Sequence, residues 1–196
     1  QEYILTSYME SKTFGPKGNE TSKTNKDGGP DPYLYEVGSN LFISPLKPVG
    51  SWSFDEGAGT IANDSSGNNN NGILYGNPTW ATDGQVNKAL SFDGSNDYVE
   101  LLTNPIDTNF WSIEMWFNIH NADQFDMLYS GPDNVDIQLF FNANTKYLTT
   151  SVENAERATS FKISDHYNEW HHVIWTHDNS YHTIVYIDGE IVLDTT

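Results

Sequence analysis

Residues 49–101 read VGSWSFDEGAGTIANDSSGNNNNGILYGNPTWATDGQVNKALSFDGSNDYVEL. A short aromatic strand is predicted at 51–54. It leads into a loop at 63–71 whose Asn and Gly residues tolerate left-handed backbone. Leu90 and Phe92 then run into Asp93 and Gly94, a hairpin signal, and Val99 and Leu101 continue on the returning strand. The stretch therefore reads as short strands joined by tight or Gly/Asn-rich turns.

The same plan extends downstream. In residues 112–119, Ile113, Met115, Phe117 and Ile119 alternate with Ser112, Glu114, Trp116 and Asn118. A period of two with one apolar face marks a half-buried strand. Ile137, Leu139 and Phe141 repeat the pattern before a turn at 142–145, and 147–152 returns. Residues 172–176 and 183–187 flank a turn at 178–180, Asp188 and Gly189 form a last hairpin, and 191–193 a last strand. There is no sustained helical period, and no repeat of the length that marks solenoids or propellers. The expected fold is all-β, an antiparallel sandwich or jelly roll.

Upstream, 3–9 and 33–37 have strand composition, and 12–31 is polar and aperiodic, an exposed loop. Residues 41–43 form a short apolar run closed by Pro45 and Pro48, which mark a junction. The expected organisation is a small β-rich segment at 1–48 and a sandwich at 49–196.

Composition narrows the function. The chain has 196 residues, 37% hydrophobic and 14% aromatic, enough for one core, with an aromatic share suited to β-structure. Cysteine is absent, which excludes disulfides, zinc–thiolate sites and thiol catalysis. A net charge of -18 opposes non-specific nucleic-acid binding, which needs Lys and Arg to displace counterions. No apolar run is long enough to span a bilayer as a helix.

Several motifs in order resemble the laminin G-like branch of the concanavalin A-like lectin/glucanase fold. They are Trp52 to Gly59 (WSFDEGAG), Asp64 to Asn68 (DSSGN), Asn71 to Leu74 (NGIL), Ala89 to Gly94 (ALSFDG) and Asn96 to Val99 (NDYV). Further on, Trp170 to Val173 (WHHV) and Ile187 to Glu190 (IDGE) continue the match. The resemblance covers roughly residue 49 to the C-terminus. It implies a binding module on an extracellular or cell-surface protein, with a glycan or an extracellular protein as ligand. Such domains run on past the last hairpin to a closing strand, so the expectation is a sandwich incomplete at its C-terminus, with an open seam. Residues 1–48 resemble the C-terminal β-part of a type IV pilin or type II secretion pseudopilin, which implies a structural or adhesive subunit of a homo-oligomer or pilus-like filament. The alternative is a carbohydrate-binding module of a secreted multidomain protein.

The resemblance also implies candidate sites. Calcium takes about six to eight oxygen ligands, and Asp55, Glu56, Asn63, Asp64 and Asn71 cluster around the first loop, with Asp64 the leading ligand and Asp55, Asn63 and Asn71 its support. The other reading of Asp64 and Ser65 is an ordinary side-chain-to-backbone turn. Trp80, Trp111, Tyr129 and Tyr181 lie in or beside turns and are candidate exposed aromatics for stacking on sugar rings. Glucanases of this fold carry carboxylates as E-x-D-x-E on one strand. That triplet is absent here, Glu114 has no acidic partner two residues away, and Asp188 and Glu190 sit on a turn. The expectation is no enzyme activity, a glucanase-type hydrolase being the least favoured reading. His166, His171, His172, His177 and His182 crowd one region without an H-E-x-x-H pattern, and packing and hydrogen bonding are their expected roles.

Overall fold

A computed structural model describes residues 3–6, 48–106, 110–122, 126–131, 137–178, 180 and 182–195. The chain divides into two compact units, residues 1–9 with 49–196 and residues 10–48. Except for Pro48 the second unit lies outside the described residues, and with it the predicted strand at 33–37 and the apolar run at 41–43.

The described part is antiparallel β-structure in three sheets. In chain order the strands are β1 (Tyr3–Thr6), β2 (Ile61–Ala62), β3 (Gly72–Tyr75), β4 (Thr79–Ala81), β5 (Ala89–Phe92), β6 (Tyr98–Leu101) and β7 (Trp111–Ile119). They continue with β8 (Asp126–Ser130), β9 (Ile137–Phe141), β10 (Tyr147–Val152), β11 (Ala155–Lys162), β12 (Trp170–His177), β13 (Thr183–Ile187) and β14 (Glu190–Asp194). A 3-10 turn, Ile163–Asp165, joins β11 to β12. The large sheet has the order β14-β13-β12-β7-β1-β5-β4, the second β11-β10-β9-β8, and the smallest β2-β3-β6. Among the described residues no helix is long and apolar enough to cross a membrane.

Alternation dictates which side chains meet. In β12 the odd positions His171, Val173, Trp175 and His177 are buried while Trp170, His172, Ile174 and Thr176 are partly exposed. In β7 Trp111, Met115, Phe117 and Ile119 share one buried face, as period two requires. The two strands pair along their length, Trp170 opposite Asn118 through to His177 opposite Trp111. Their inner face packs against Ile137, Leu139 and Phe141 of β9, Leu148 of β10 and Phe161 of β11. Phe117 meets Phe141 at 5.6 Å and Trp175 meets Trp111 edge-on at 4.5 Å between ring centroids, within the range aromatic pairs prefer. A second core joins Leu90 and Phe92 of β5 to Phe54, Ala62 and Leu74, with Trp52, Trp80 and Val99 at its margin.

Three expectations change. The predicted strand at 51–54 is only an isolated bridge between Trp52 and Asp64. Phe54 has a φ of 57°, which ends extended backbone, and Ser51 N is bonded to an aspartate side chain instead of a neighbouring strand. β11 was not expected. Its sequence, AERATSFK, is polar because it forms a sheet edge with half of its side chains in solvent. Finally, the N-terminal strand β1 takes a place inside the large sheet. β1 pairs with β5 through Tyr3 opposite Phe92 and with β7 through Tyr3 opposite Ile119, so it joins the two halves of the large sheet. Tyr3–Thr6 thus lies in the sandwich assigned by sequence to residues 49–196.

Candidate functional site

The Asp64 carboxylate is the hub of the first loop. Its Oδ1 accepts the backbone N–H of Ser51 and of Ser66, both at 2.9 Å. Its Oδ2 accepts the Ser66 hydroxyl at 2.7 Å and the Asn70 N–H at 2.9 Å. Burial alone would raise this carboxyl, but the bonds from Ser66, Ser51 and Asn70 outweigh it and hold it below the usual aspartate value. Around it Asn71 Oδ1 accepts the Asp64 N–H at 2.8 Å. Asn70 Nδ2 donates to the Val49 carbonyl at 2.8 Å, and Trp52 Nε1 to the Asn70 carbonyl at 2.8 Å.

These residues do not fit a calcium ion. A calcium site presents lone pairs to the cation, whereas both oxygens of Asp64 already take two donors each. Asp55 faces elsewhere: Oδ1 accepts Lys88 N–H at 3.0 Å and Oδ2 accepts Asn87 Nδ2 at 3.3 Å. Asn63 uses its backbone N–H and its Nδ2 to donate to Glu56 Oε1 at 2.7 and 3.0 Å. Asp64 and Asn71 share one hydrogen-bond network while Asp55 and Asn63 serve two others, and the bonds to Asp64 are those of the side-chain-to-backbone turn reading.

The aromatic candidates fare differently from one another. Trp111 is buried at 9% exposure, edge-on to Trp175 and stacked on His177 at 5.3 Å, so it is a core residue and not a sugar platform. Tyr129 is half-buried against the main core, and burial pushes its phenol up to about 12. Trp80 packs at the edge of the second core and donates Nε1 to the Gly59 carbonyl at 3.1 Å. Tyr181 lies outside the described residues.

An exposed aromatic platform does exist, at residues that sequence reasoning passed over. Tyr75 of β3 and Tyr98 of β6 are directly opposite each other. Their rings stack at 5.0 Å with 16° between planes, and they are 40% and 51% exposed. Gly72 and Leu74 point inward from β3, so Ile73 and Tyr75 point out, and Tyr98 and Glu100 do the same from β6. The Glu100 carboxylate beside it raises the Tyr75 phenol. Next to this face is a polar hollow of about 240 Å³ lined by Gly76, Asn77, Thr79, Ser91, Asp93 and Asp97. Gly76 is needed there. Its φ is 85°, and a Cβ would run into the Asn96 carbonyl. Asp97 Oδ2 accepts the Asp93 N–H at 3.0 Å and Asp93 Oδ1 the Ser95 N–H at 2.8 Å, which fix the hairpin beneath the hollow.

A larger cleft of about 510 Å³ opens between β10–β11 and β13–β14, with Thr150, Arg157, His177, Thr183 and Asp194 in its wall. Burial lowers the His177 imidazole, and its Nδ1 is 3.0 Å from Thr183 Oγ1. His172 Nε2 lies 2.7 Å from Glu114 Oε1, and His182 Nε2 2.8 Å from Asp194 Oδ1. These three histidines therefore have hydrogen-bond roles. Glu114 and Asp188, the latter accepting His172 N–H at 2.8 Å, have structural partners as well.

The antiparallel β-architecture is that of a concanavalin A-like sandwich. The family model described as the concanavalin A-like lectin/glucanases superfamily, in its laminin G-like form, matches residues 93–196. That is just over half of the chain, and the chain belongs to this family. No curated protein and no solved structure matches it.

Proposed function

We propose that this chain is a non-enzymatic extracellular recognition module that binds a glycan through the outer face of β2–β3–β6. The observation that carries the reading is the stacked Tyr75–Tyr98 pair beside the polar hollow of Asn77, Asp93 and Asp97. Sugar rings present an apolar C–H face and a rim of hydroxyls, so they suit a flat aromatic surface flanked by hydrogen-bonding groups. The absence of an E-x-D-x-E triplet from the sequence supports a binding role over hydrolysis. A filament-subunit role rests on the resemblance of residues 1–48 to pilins, and the glycan reading does not depend on it.

The test is a glycan array followed by titration calorimetry on the strongest hit. Tyr75→Ala and Tyr98→Ala are each expected to weaken binding roughly tenfold or more, with melting temperatures close to that of the parent chain because both rings are exposed. An array without hits, or affinity that survives both substitutions, would defeat the proposal.

A further inference from the structure

The segment between the 3-10 turn and β12 reads His166, Tyr167, Asn168, Glu169, Trp170, His171. Asn168 has a φ of 65°, its N–H donates to the Ile119 carbonyl at 2.9 Å, and its Oδ1 is 2.7 Å from His120 Nδ1. This pinned left-handed residue folds His166 and Glu169 back toward His171. His166 Nδ1 lies 3.3 Å from Glu169 Oε2, and His171 Nε2 lies 3.7 Å from the same oxygen. One ligand atom from each of the three side chains falls within 4.8 Å of the others.

The orientation of His171 gives this cluster its meaning. Its Nδ1 is 2.7 Å from Asp188 Oδ2, and an ionised carboxylate only accepts, so Nδ1 carries the proton. In the neutral ring Nε2 then presents a lone pair. The side chain is only 7% exposed, and among the described residues Nε2 has no hydrogen-bond partner. Glu169 Oε2, an acceptor when ionised, lies 3.7 Å from it. A carboxylate that orients a histidine whose other nitrogen points at further donors is the arrangement found around metal-ligating histidines.

We infer that His166, Glu169 and His171 form a binding site for a divalent transition metal of the zinc type, with Asp188 orienting His171. Bonds of about 2.0–2.1 Å in tetrahedral geometry separate ligand atoms by about 3.3–3.5 Å, close to the 3.3 and 3.7 Å that separate the two histidine nitrogens from Glu169 Oε2. Two imidazole nitrogens and one carboxylate oxygen suit zinc, and not calcium or magnesium, which take oxygen ligands. The Glu169 and His166 side chains are 60% and 41% exposed, so the fourth position opens to water or to a donor from a ligand. His166 stacks on Phe161 of β11 at 5.0 Å, and His171 lies 5.8 Å from Phe117 of β7. The metal would therefore clasp the rim where the two larger sheets meet.

The experiment is titration calorimetry of the untagged 196-residue chain with ZnCl2, alongside visible spectra with Co²⁺. One zinc ion per chain is expected, with a rise in melting temperature that EDTA reverses, and an intense four-coordinate Co²⁺ spectrum. Calcium and magnesium at millimolar levels should neither bind there nor compete. His166→Ala combined with Glu169→Gln should weaken zinc at least about tenfold, and Glu169→Gln alone, which alters an exposed group, should weaken it while the EDTA-treated melt stays unchanged. Zinc binding that is absent in the parent chain, or equally strong in the double variant, overturns the inference. So does a weak, six-coordinate Co²⁺ spectrum.

Discussion

A chain lacking residues 1–9 is expected to lose cooperative folding. β1 is hydrogen-bonded on both sides, in register with β5 from Tyr3 opposite Phe92 to Leu5 opposite Leu90, and with β7 from Tyr3 opposite Ile119 to Thr6 opposite Trp116. Its removal leaves two facing strand edges in the middle of the large sheet and separates β4–β5 from β7–β12–β13–β14. Each ladder bond contributes about 1 kcal/mol net, so two lost ladders approach the whole stability of about 5–15 kcal/mol typical of a domain. The bared edges also invite pairing between chains. Thermal unfolding followed by near-ultraviolet circular dichroism should show a broad transition or none, with aggregation on concentration. A synthetic peptide of residues 1–10 added in trans should restore a sharp melt. A truncated chain that melts like the parent would show that β1 is dispensable to the sheet.

Much of this architecture was legible in the chain because local patterning dictates it. The strict alternation of β7, β9 and β12 assigns each side chain to a face without reference to any partner strand. Trp111 was legible by the same logic. It shares parity with Ile113, Met115 and Phe117 and so belongs on their buried face, and its position beside a turn was the misleading cue. Tyr75 follows similarly once Leu74 is placed in the second core. The position of β1 was not legible. Pairing of Tyr3 with Phe92 and Ile119 joins residues far apart in sequence, and four apolar or hydroxylated residues carry no address for such a partner. β11 was missed because an edge strand needs few apolar residues, and β8 because Asp126 stands on its buried face while Met127, Leu128 and Tyr129 follow as an unalternating run.

The family assignment and the sites draw on different parts of the molecule. The matched region, residues 93–196, contains the main core and the histidine cluster. The tyrosine platform lies across its boundary, with Tyr75 before and Tyr98 within. The fold alone places no ligand. What singles out the outer face of β3 and β6 is that two large rings remain in solvent where strand alternation leaves them uncovered. What singles out His171 is the opposite condition, a buried nitrogen lacking a donor. An exposed platform and a buried lone pair call for different ligands, and each can be removed without touching the other.

Asp64→Ala is expected to destabilise the chain by about 2–4 kcal/mol, since hydrogen bonds to a charged acceptor contribute about 1.5–3 kcal/mol each and do not add fully. The substitution strips the acceptor from the N–H groups of Ser51, Ser66 and Asn70 at one stroke. It also loosens the bridge between Trp52 and Asp64 that seats Trp52 at the second core. Asp64→Asn should cost less than alanine but more than a surface change, because one oxygen becomes an NH₂ facing donors. The pH dependence has a definite sign. The folded carboxyl sits below its unfolded value, so its contribution is complete above the unfolded aspartate pKa of about 3.9 and disappears as pH falls through the lower folded value. The melting temperature of the parent chain should therefore drop more steeply below about pH 4 than that of Asp64→Ala, and the two curves should converge in acid. Millimolar calcium should shift neither curve, since the donors around Asp64 occupy the positions a cation would need. A calcium-dependent rise in the parent that Asp64→Ala abolishes would instead make this loop a cation site, with its N–H groups turned away from the carboxylate.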